Sequence, residues 1–164
     1  ACRRNVDLTY IVMDNHVYGM TKGQPSPTTE PDWNSKIAPG GTGLREFHPL
    51  VIALASGANF IARGFSGDPS GTASLITEAI RHPGFSFVEV LSPCVTFRPE
   101  QREWKGAVRP SPVEPTDDPA RAARRLMTDD GFNLGVLYKG TRRPYAPSAR
   151  ASREVADLER EFEL

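Results

Sequence analysis

Two stretches of the chain collect the residue types able to do chemistry. The first, Val12 to Thr29, reads VMDNHVYGMTKGQPSPTT and gathers carboxylate, carboxamide, hydroxyl, imidazole and amine groups behind an apolar run. The second is Ser92-Pro93-Cys94, which places a thiol after another such run. Taken singly, these groups have plain structural roles. Asn15 of Asp14-Asn15 is a turn residue closing a strand, Thr21 and Gln24 are polar loop positions, and Lys22 is a solvated lysine. Met20 is a packing residue and Cys94 a small buried hydrophobe. Other chemistries fail on spacing. Cys2, Cys94, His16, His48 and His82 include no pair with zinc-like spacing. The run Gly40-Gly41-Thr42-Gly43 lacks the Lys-Ser/Thr of a phosphate loop, and no Gly-x-Ser-x-Gly nucleophile pattern occurs.

The elements around these stretches say where they must lie. Asp7 to Met13 (DLTYIVM) is β-branched and apolar and ends at Asp14-Asn15, which predicts a buried strand. Residues 14–46 are rich in Gly, Pro, Ser and Thr, and so long a loop inside a compact domain is usually functional. Pro49 suits a first helical position and Gly57 a C-terminal cap, predicting a helix over His48 to Gly57. Asn59 to Arg63 reads as a short strand. Ser70 to His82 reads as a helix with Leu75, Ile76, Ala79 and Ile80 on its apolar face, stopped by Pro83-Gly84. Phe85 to Leu91 (FSFVEVL) is the next strand and runs into Ser92-Pro93-Cys94.

This alternation predicts an α/β fold with a parallel sheet. Ligands in such sheets bind outside the carboxyl ends of the strands. Both chemistry-bearing stretches follow strands, so both are expected on that edge. Beyond Val95, residues 99–119 read as a proline-rich extended connector. Then come a short helix over Ala120 to Met127, basic on one side, and a strand over Asn133 to Tyr138. A terminal helix is expected over Ser152 to Phe162, with Val155, Leu158 and Phe162 on one face.

The 164 residues amount to one domain plus a tail, and 20 basic residues balance 20 acidic ones. That balance removes the concentrated basic field that nucleic-acid binding needs and gives no polybasic membrane patch. The longest apolar run, Leu50 to Ala55, is far short of the ~18 residues of a membrane span. Two cysteines make no disulfide framework and fit a reducing, cytoplasmic setting. The chain opens on Ala1 and passes straight through Arg3-Arg4-Asn5 into a strand, and is expected to be a fragment cut inside a domain.

Val12 to Thr29 resembles the cofactor loop of thiamine-diphosphate enzymes, specifically the β subunits of 2-oxoacid:ferredoxin oxidoreductases of the 2-oxoglutarate synthase type. The family's Asp-Asn, Tyr-Gly, Thr-x-x-Gln and Ser-Pro-Thr-Thr stand as Asp14-Asn15, Tyr18-Gly19, Thr21 to Gln24 and Ser26 to Thr29. His48-Pro49-Leu50, Gly57-Ala58, Ala62 to Phe65, His82 to Phe87 and Ser92-Pro93-Cys94 continue the likeness in order. It is close over residues 1 to about 98 and looser in the tail, through Gly135 to Tyr138 and Arg143-Pro144. The resemblance implies two regions: 1–98, the C-terminal part of a thiamine-diphosphate-binding domain, and 99–164, a connector with a short α/β tail.

It also implies an activity, the oxidative decarboxylation of a 2-oxoacid to acyl-coenzyme A with electrons passed to ferredoxin. Thiamine diphosphate would be bound through Asn15, Val17, Tyr18, Gly19, Thr21 and Gln24. Its Mg²⁺ would be held by the Asn15 side chain and the Val17 carbonyl, with an Asp from an upstream Gly-Asp-Gly outside this chain. Cys94 would be the last of four thiolates on a [4Fe–4S] cluster, the other three lying upstream. Cys2 matches no ligand position and reads as structural. Met20 and Lys22 would line the substrate pocket. Many pyruvate-type relatives have glycine where Lys22 stands, and a lysine suits the distal carboxylate of 2-oxoglutarate. The activating glutamate is expected on a partner α subunit. A pyruvate or branched-chain 2-oxoacid enzyme is the alternative within the class. A non-catalytic binding or assembly module of the same fold is the alternative outside it.

Overall fold

Three apolar runs form the parallel core of one sheet. The computed structural model describes residues 1–146, so the terminal helix expected over Ser152 to Phe162 lies outside the described residues. The strands are β1 (Leu8–Asp14), β2 (Phe60–Phe65), β3 (Phe85–Leu91), β4 (Arg109–Pro110) and β5 (Asn133–Lys139). The helices are α1 (Pro49–Ala55), α2 (Pro69–Arg81), α3 (Trp104–Ala107) and α4 (Pro119–Thr128). Across the sheet the order is β1-β3-β2-β5-β4. β1 and β2 both run parallel to β3, whereas β5 runs antiparallel to β2.

Local chemistry sets the boundaries. Pro49 opens α1 as the sequence predicts, since a first helical residue has no intrahelical use for its N–H. Asp68 caps α2 by accepting from the Gly71 amide, and Asp118 caps α4 by accepting from Ala120 and Arg121. Side chains then alternate across the sheet. Ile61, Phe85 and Phe87 pack with Leu50, Ala53 and Leu54 of α1 and Ala122 and Leu126 of α4. Phe60, Ala62, Val88 and Val90 pack on the opposite face with Ala79 of α2. Every residue of β2 and β3 is buried, as expected of parallel strands covered on both faces.

Three expectations need correction. β1 is a strand but not a buried one: it sits at the sheet edge, and Tyr10 and Met13 are 52% and 63% exposed. Composition alone does not distinguish a central apolar strand from an apolar edge. Ile80 is exposed rather than on the apolar face of α2, which consists of Ala79 with the partly buried Leu75 and Ile76. The segment after Pro99 is not simply extended. It folds into a 3-10 turn (Pro99–Glu103) and α3, and Trp104 packs on Phe65 and Leu91. Within the described residues the tail folds back on this chain. β5 joins the sheet beside β2, and the buried Asn5 and Asn59 hold the backbone of Arg142 and Arg143.

Candidate cofactor site

β1 and β3 end side by side. Asp14 lies opposite Leu91, and the Ser92 amide donates to the Asp14 carbonyl at 2.7 Å. The loop after β1 and the Ser-Pro-Cys loop after β3 therefore leave the same carboxyl edge together. Asp14 is buried and anchors the first loop, accepting from the His16 amide at 3.0 Å and from Thr28 Oγ1 at 2.7 Å. Thr29 Oγ1 donates to the His16 carbonyl at 2.6 Å and accepts from the Ser26 amide at 2.7 Å. The Ser-Pro-Thr-Thr run thus braces the turn that carries Asn15.

Asn15 Oδ1 accepts from the Val17 amide at 3.2 Å, and the Val17 carbonyl accepts from the Gly19 amide at 3.1 Å. Each oxygen keeps a second lone pair. Residues 18–24 close into a tight loop through Tyr18 N to Gln24 O (2.8 Å) and Gly23 N to Tyr18 O (3.0 Å). Thr21 Oγ1 lies within hydrogen-bonding reach of Gln24 Oε1 and of the Tyr18 carbonyl, to one of which its single O–H donates. Lys22 holds a left-handed φ of 75°, and its amide donates to the Gly19 carbonyl at 3.1 Å. A non-glycine residue in that region stores backbone strain of the kind that gathers at functional sites. Met20 is fully exposed, and Tyr18, Thr21 and Lys22 are exposed beside it.

Cys94 meets this loop at Gly19. A Cβ on Gly19 would stand 3.2 Å from Cys94 Sγ and 3.8 Å from Asn15 Nδ2. The absence of a side chain there lets the thiol, the Gly19 backbone and the Asn15 carboxamide converge. Gly23, at φ +91°, likewise leaves room for the Phe97 ring, 3.0 Å from where its Cβ would be. Thus Asn15, Val17, Gly19 and Cys94 come to one place, while Met20, Thr21 and Lys22 form the exposed rim of the same loop. Cys2 lies apart, packed against the α1 core, where burial raises its pKa. His82 also lies apart, beside Asn59. Among the described residues no group of three His, Cys, Asp or Glu side chains could hold a metal.

Sequence reasoning missed the residues that lock the loops. Gln101, 1% exposed, donates through Nε2 to the Asn15 carbonyl at 2.8 Å and accepts at Oε1 from the Cys94 amide at 2.7 Å. The buried Arg98 donates to the His16 carbonyl (3.2 Å), Glu30 Oε2 (2.6 Å) and Glu100 Oε1 (2.8 Å), and stacks 4.6 Å from the Trp33 ring. Glu30 also meets His16 Nδ1 at 3.0 Å. Burial works against its charge, but the hydrogen bonds from His16 and Arg98 outweigh it and hold its pKa at about 2. The proline-rich composition of residues 99–119 hid Gln101. On the sheet itself, Arg63 of β2 lies opposite Glu89 of β3 and donates to it at 2.6 Å, and it also pairs with Asp129. Burial opposes its charge, yet the two carboxylates push its pKa up. The signal was present: each of two apolar strands carries one charge, of opposite sign. A cavity of about 190 Å³ separates this ion cluster from the loop and is lined by Asp14, His16, Glu30, Arg63 and Asp129.

A mostly parallel sheet whose carboxyl edge presents an Asp-Asn turn against a thiol defines a cofactor-binding α/β domain. The chain belongs to the thiamine pyrophosphate enzyme family: residues 1–90 match its C-terminal TPP binding domain. It is 35% identical over 155 residues to a 2-oxoacid:ferredoxin oxidoreductase subunit beta of Saccharolobus solfataricus, covering 85% of this chain and 50% of that one. It is 45% identical over 98 residues to the 2-oxoglutarate synthase subunit KorB of Archaeoglobus fulgidus, covering 60% of this chain and 37% of that one. Its fold is similar, with a TM-score of 0.79 and 34% identity, to a solved 2-oxoglutarate:ferredoxin oxidoreductase from Magnetococcus marinus with 2-oxoglutarate, coenzyme A and succinyl-CoA bound. That match covers 88% of this chain and 51% of the other. The chain spans about half or less of the length of these relatives. The resemblance read from Val12 to Thr29 is borne out by all three comparisons.

Proposed function

We propose that the chain is the cofactor-binding part of the β subunit of a 2-oxoacid:ferredoxin oxidoreductase, with 2-oxoglutarate as its substrate. The observation that carries this reading is the convergence of Asn15, Gly19 and Cys94 at one sheet edge. Residues 1–98 form the cofactor portion and 99–164 a connector and tail.

The donor chemistry fits the groups this function needs. Asn15 Oδ1 and the Val17 carbonyl are neutral hard oxygens two residues apart in the loop after β1, suited to part of a Mg²⁺ octahedron that diphosphate oxygens and a carboxylate would complete. Tyr18, Gly19, Thr21 and Gln24 make the loop that encloses thiamine diphosphate. Cys94 supplies one thiolate to a [4Fe–4S] cluster. Thiamine diphosphate supplies the decarboxylation chemistry when bound; the protein orients it and keeps the cluster close enough to take electrons on toward ferredoxin. Lys22 meets the distal carboxylate of 2-oxoglutarate and Met20 sets the pocket size. Its strained backbone supports that role, because glycine would adopt this φ at less cost. An α subunit completes the site, and coenzyme A takes the acyl group.

The test is anaerobic co-expression of the full-length β subunit with its α subunit, assayed for coenzyme A-dependent reduction of ferredoxin or methyl viologen with 2-oxoglutarate and with pyruvate. The expected result is a preference for 2-oxoglutarate that Lys22→Ala lowers by about 10- to 100-fold, the loss of one charge-assisted contact. Turnover of pyruvate alone keeps the class and removes the substrate assignment. No turnover of any 2-oxoacid favours the binding-module reading.

A further inference from the structure

We propose that Gln101 is a positioning residue that clamps the cofactor loop to the cluster cysteine. The inference rests on the functional reading above and extends it to a residue outside the family motif. Gln101 projects from the short 3-10 turn after Cys94 and is almost fully buried. Its carboxamide is used at both ends. Nε2 donates to the Asn15 carbonyl at 2.8 Å and Oε1 accepts from the Cys94 amide at 2.7 Å. No other side chain among the described residues hydrogen-bonds to both of these loop residues.

The clamp acts where spacing matters. Asn15 is the Mg²⁺ ligand of the proposed site and Cys94 its iron ligand, and Gly19 already lets the two approach closely. Glycine permits that approach but does not enforce it. The Gln101 carboxamide does, because separating the loops would leave a buried donor and a buried acceptor unpaired. The buried Arg98, whose amide bonds the Cys94 carbonyl and whose guanidinium reaches the His16 carbonyl, makes a second tie between the same loops. The Asn15 carbonyl and the Cys94 amide are main-chain groups, so the clamp fixes backbone position and leaves both side chains free to bind their ligands.

The test uses the full-length β subunit assembled with its α subunit. Gln101→Met keeps the side-chain length and removes both hydrogen bonds. Three readouts are taken: iron content with the electron paramagnetic resonance spectrum of the reduced cluster, Mg²⁺-dependent thiamine diphosphate affinity, and the stopped-flow rate of cluster reduction after mixing with 2-oxoacid. The expected result is wild-type iron content, a perturbed cluster spectrum, and about tenfold losses in cofactor affinity and in reduction rate. Wild-type values for all three in Gln101→Met overturn the clamp. If Gln101→Met does not assemble, Gln101→Glu decides, since it keeps an oxygen toward the Cys94 amide and lacks the donor toward Asn15. It is expected to hold the cluster but to bind the cofactor more weakly, and wild-type cofactor affinity in it overturns the proposal. A wild-type protein that holds neither cofactor nor cluster removes the functional reading itself, a result distinguishable from failure of the clamp alone.

Discussion

β1 and β3 are neighbours in one parallel ladder, seven residues each, yet they live in different environments. β3 (FSFVEVL) is buried throughout, with α1 and α4 over one face and α2 over the other. β1 (LTYIVMD) buries only Asp14 and exposes Leu8, Tyr10, Ile11 and Met13. The difference is one of coverage rather than composition. Among the described residues β3 is the second strand from the edge and β1 is the edge, so β1 pairs along one side only. A groove of about 830 Å³ opens over one face of β1, beside α1 and β3, lined by Leu8, Tyr10, Val12, Ile52 and Phe87. Among the described residues burial is therefore concentrated in β2 and β3, whereas β1 delivers Asp14 and Asn15 to the candidate site.

The largest expected effects fall on the ion cluster between β2 and β3 and on the covered core of the sheet. Arg63→Met leaves the buried Glu89 and the partly buried Asp129 without their cation and is expected to cost about 3–5 kcal/mol, measured by urea denaturation. Phe60→Ala, in the covered half of the sheet, is expected to cost about 3–5 kcal/mol, against a change within about 0.5 kcal/mol for Met13→Ala on β1. Equal costs for Phe60→Ala and Met13→Ala would break the contrast between the strands. Hydrogen exchange sharpens it, with β1 amides expected to exchange faster than those of β3.

A smaller effect is expected from pH. The folded pKa of Glu30, about 2, lies below its ordinary value of 4.5. A depressed carboxylate contributes stability above its unfolded pKa and loses it as pH falls through the folded value. The chain is thus expected to lose stability between about pH 4.5 and pH 2. Glu30→Gln is expected to flatten that part of the profile, as followed by thermal denaturation. An unchanged slope in the variant would show that Glu30 does not couple the long loop to His16 and Arg98.

Much of the architecture was legible because local chemistry wrote it. Phe85 to Leu91 is apolar and β-branched between Pro83-Gly84 and Ser92-Pro93, and β3 has those bounds. Pro49 marked the start of α1. What was illegible depends on neighbours far away in sequence. That β1 is an edge depends on what pairs with it, and that β5 is antiparallel depends on how the chain returns after α4. The candidate site divided similarly. The motif identified Asn15, Gly19 and Cys94 one by one, and the fold brings them together. Gln101 went unread because proline-rich composition suggested an extended connector, whereas a single 3-10 turn suffices to bury a glutamine. Arg63 and Glu89 matter only as a pair, and the pair exists only in the register of β2 on β3.

The central claim is that Cys94 is an iron ligand placed against the cofactor loop. Its most direct test is the visible and electron paramagnetic resonance spectrum of the anaerobically purified full-length protein with its α subunit, beside Cys94→Ala. The account predicts a brown cluster, bleached by 2-oxoglutarate with coenzyme A, in the wild type, and its loss or conversion in Cys94→Ala. An unaltered cluster signal in Cys94→Ala would contradict it.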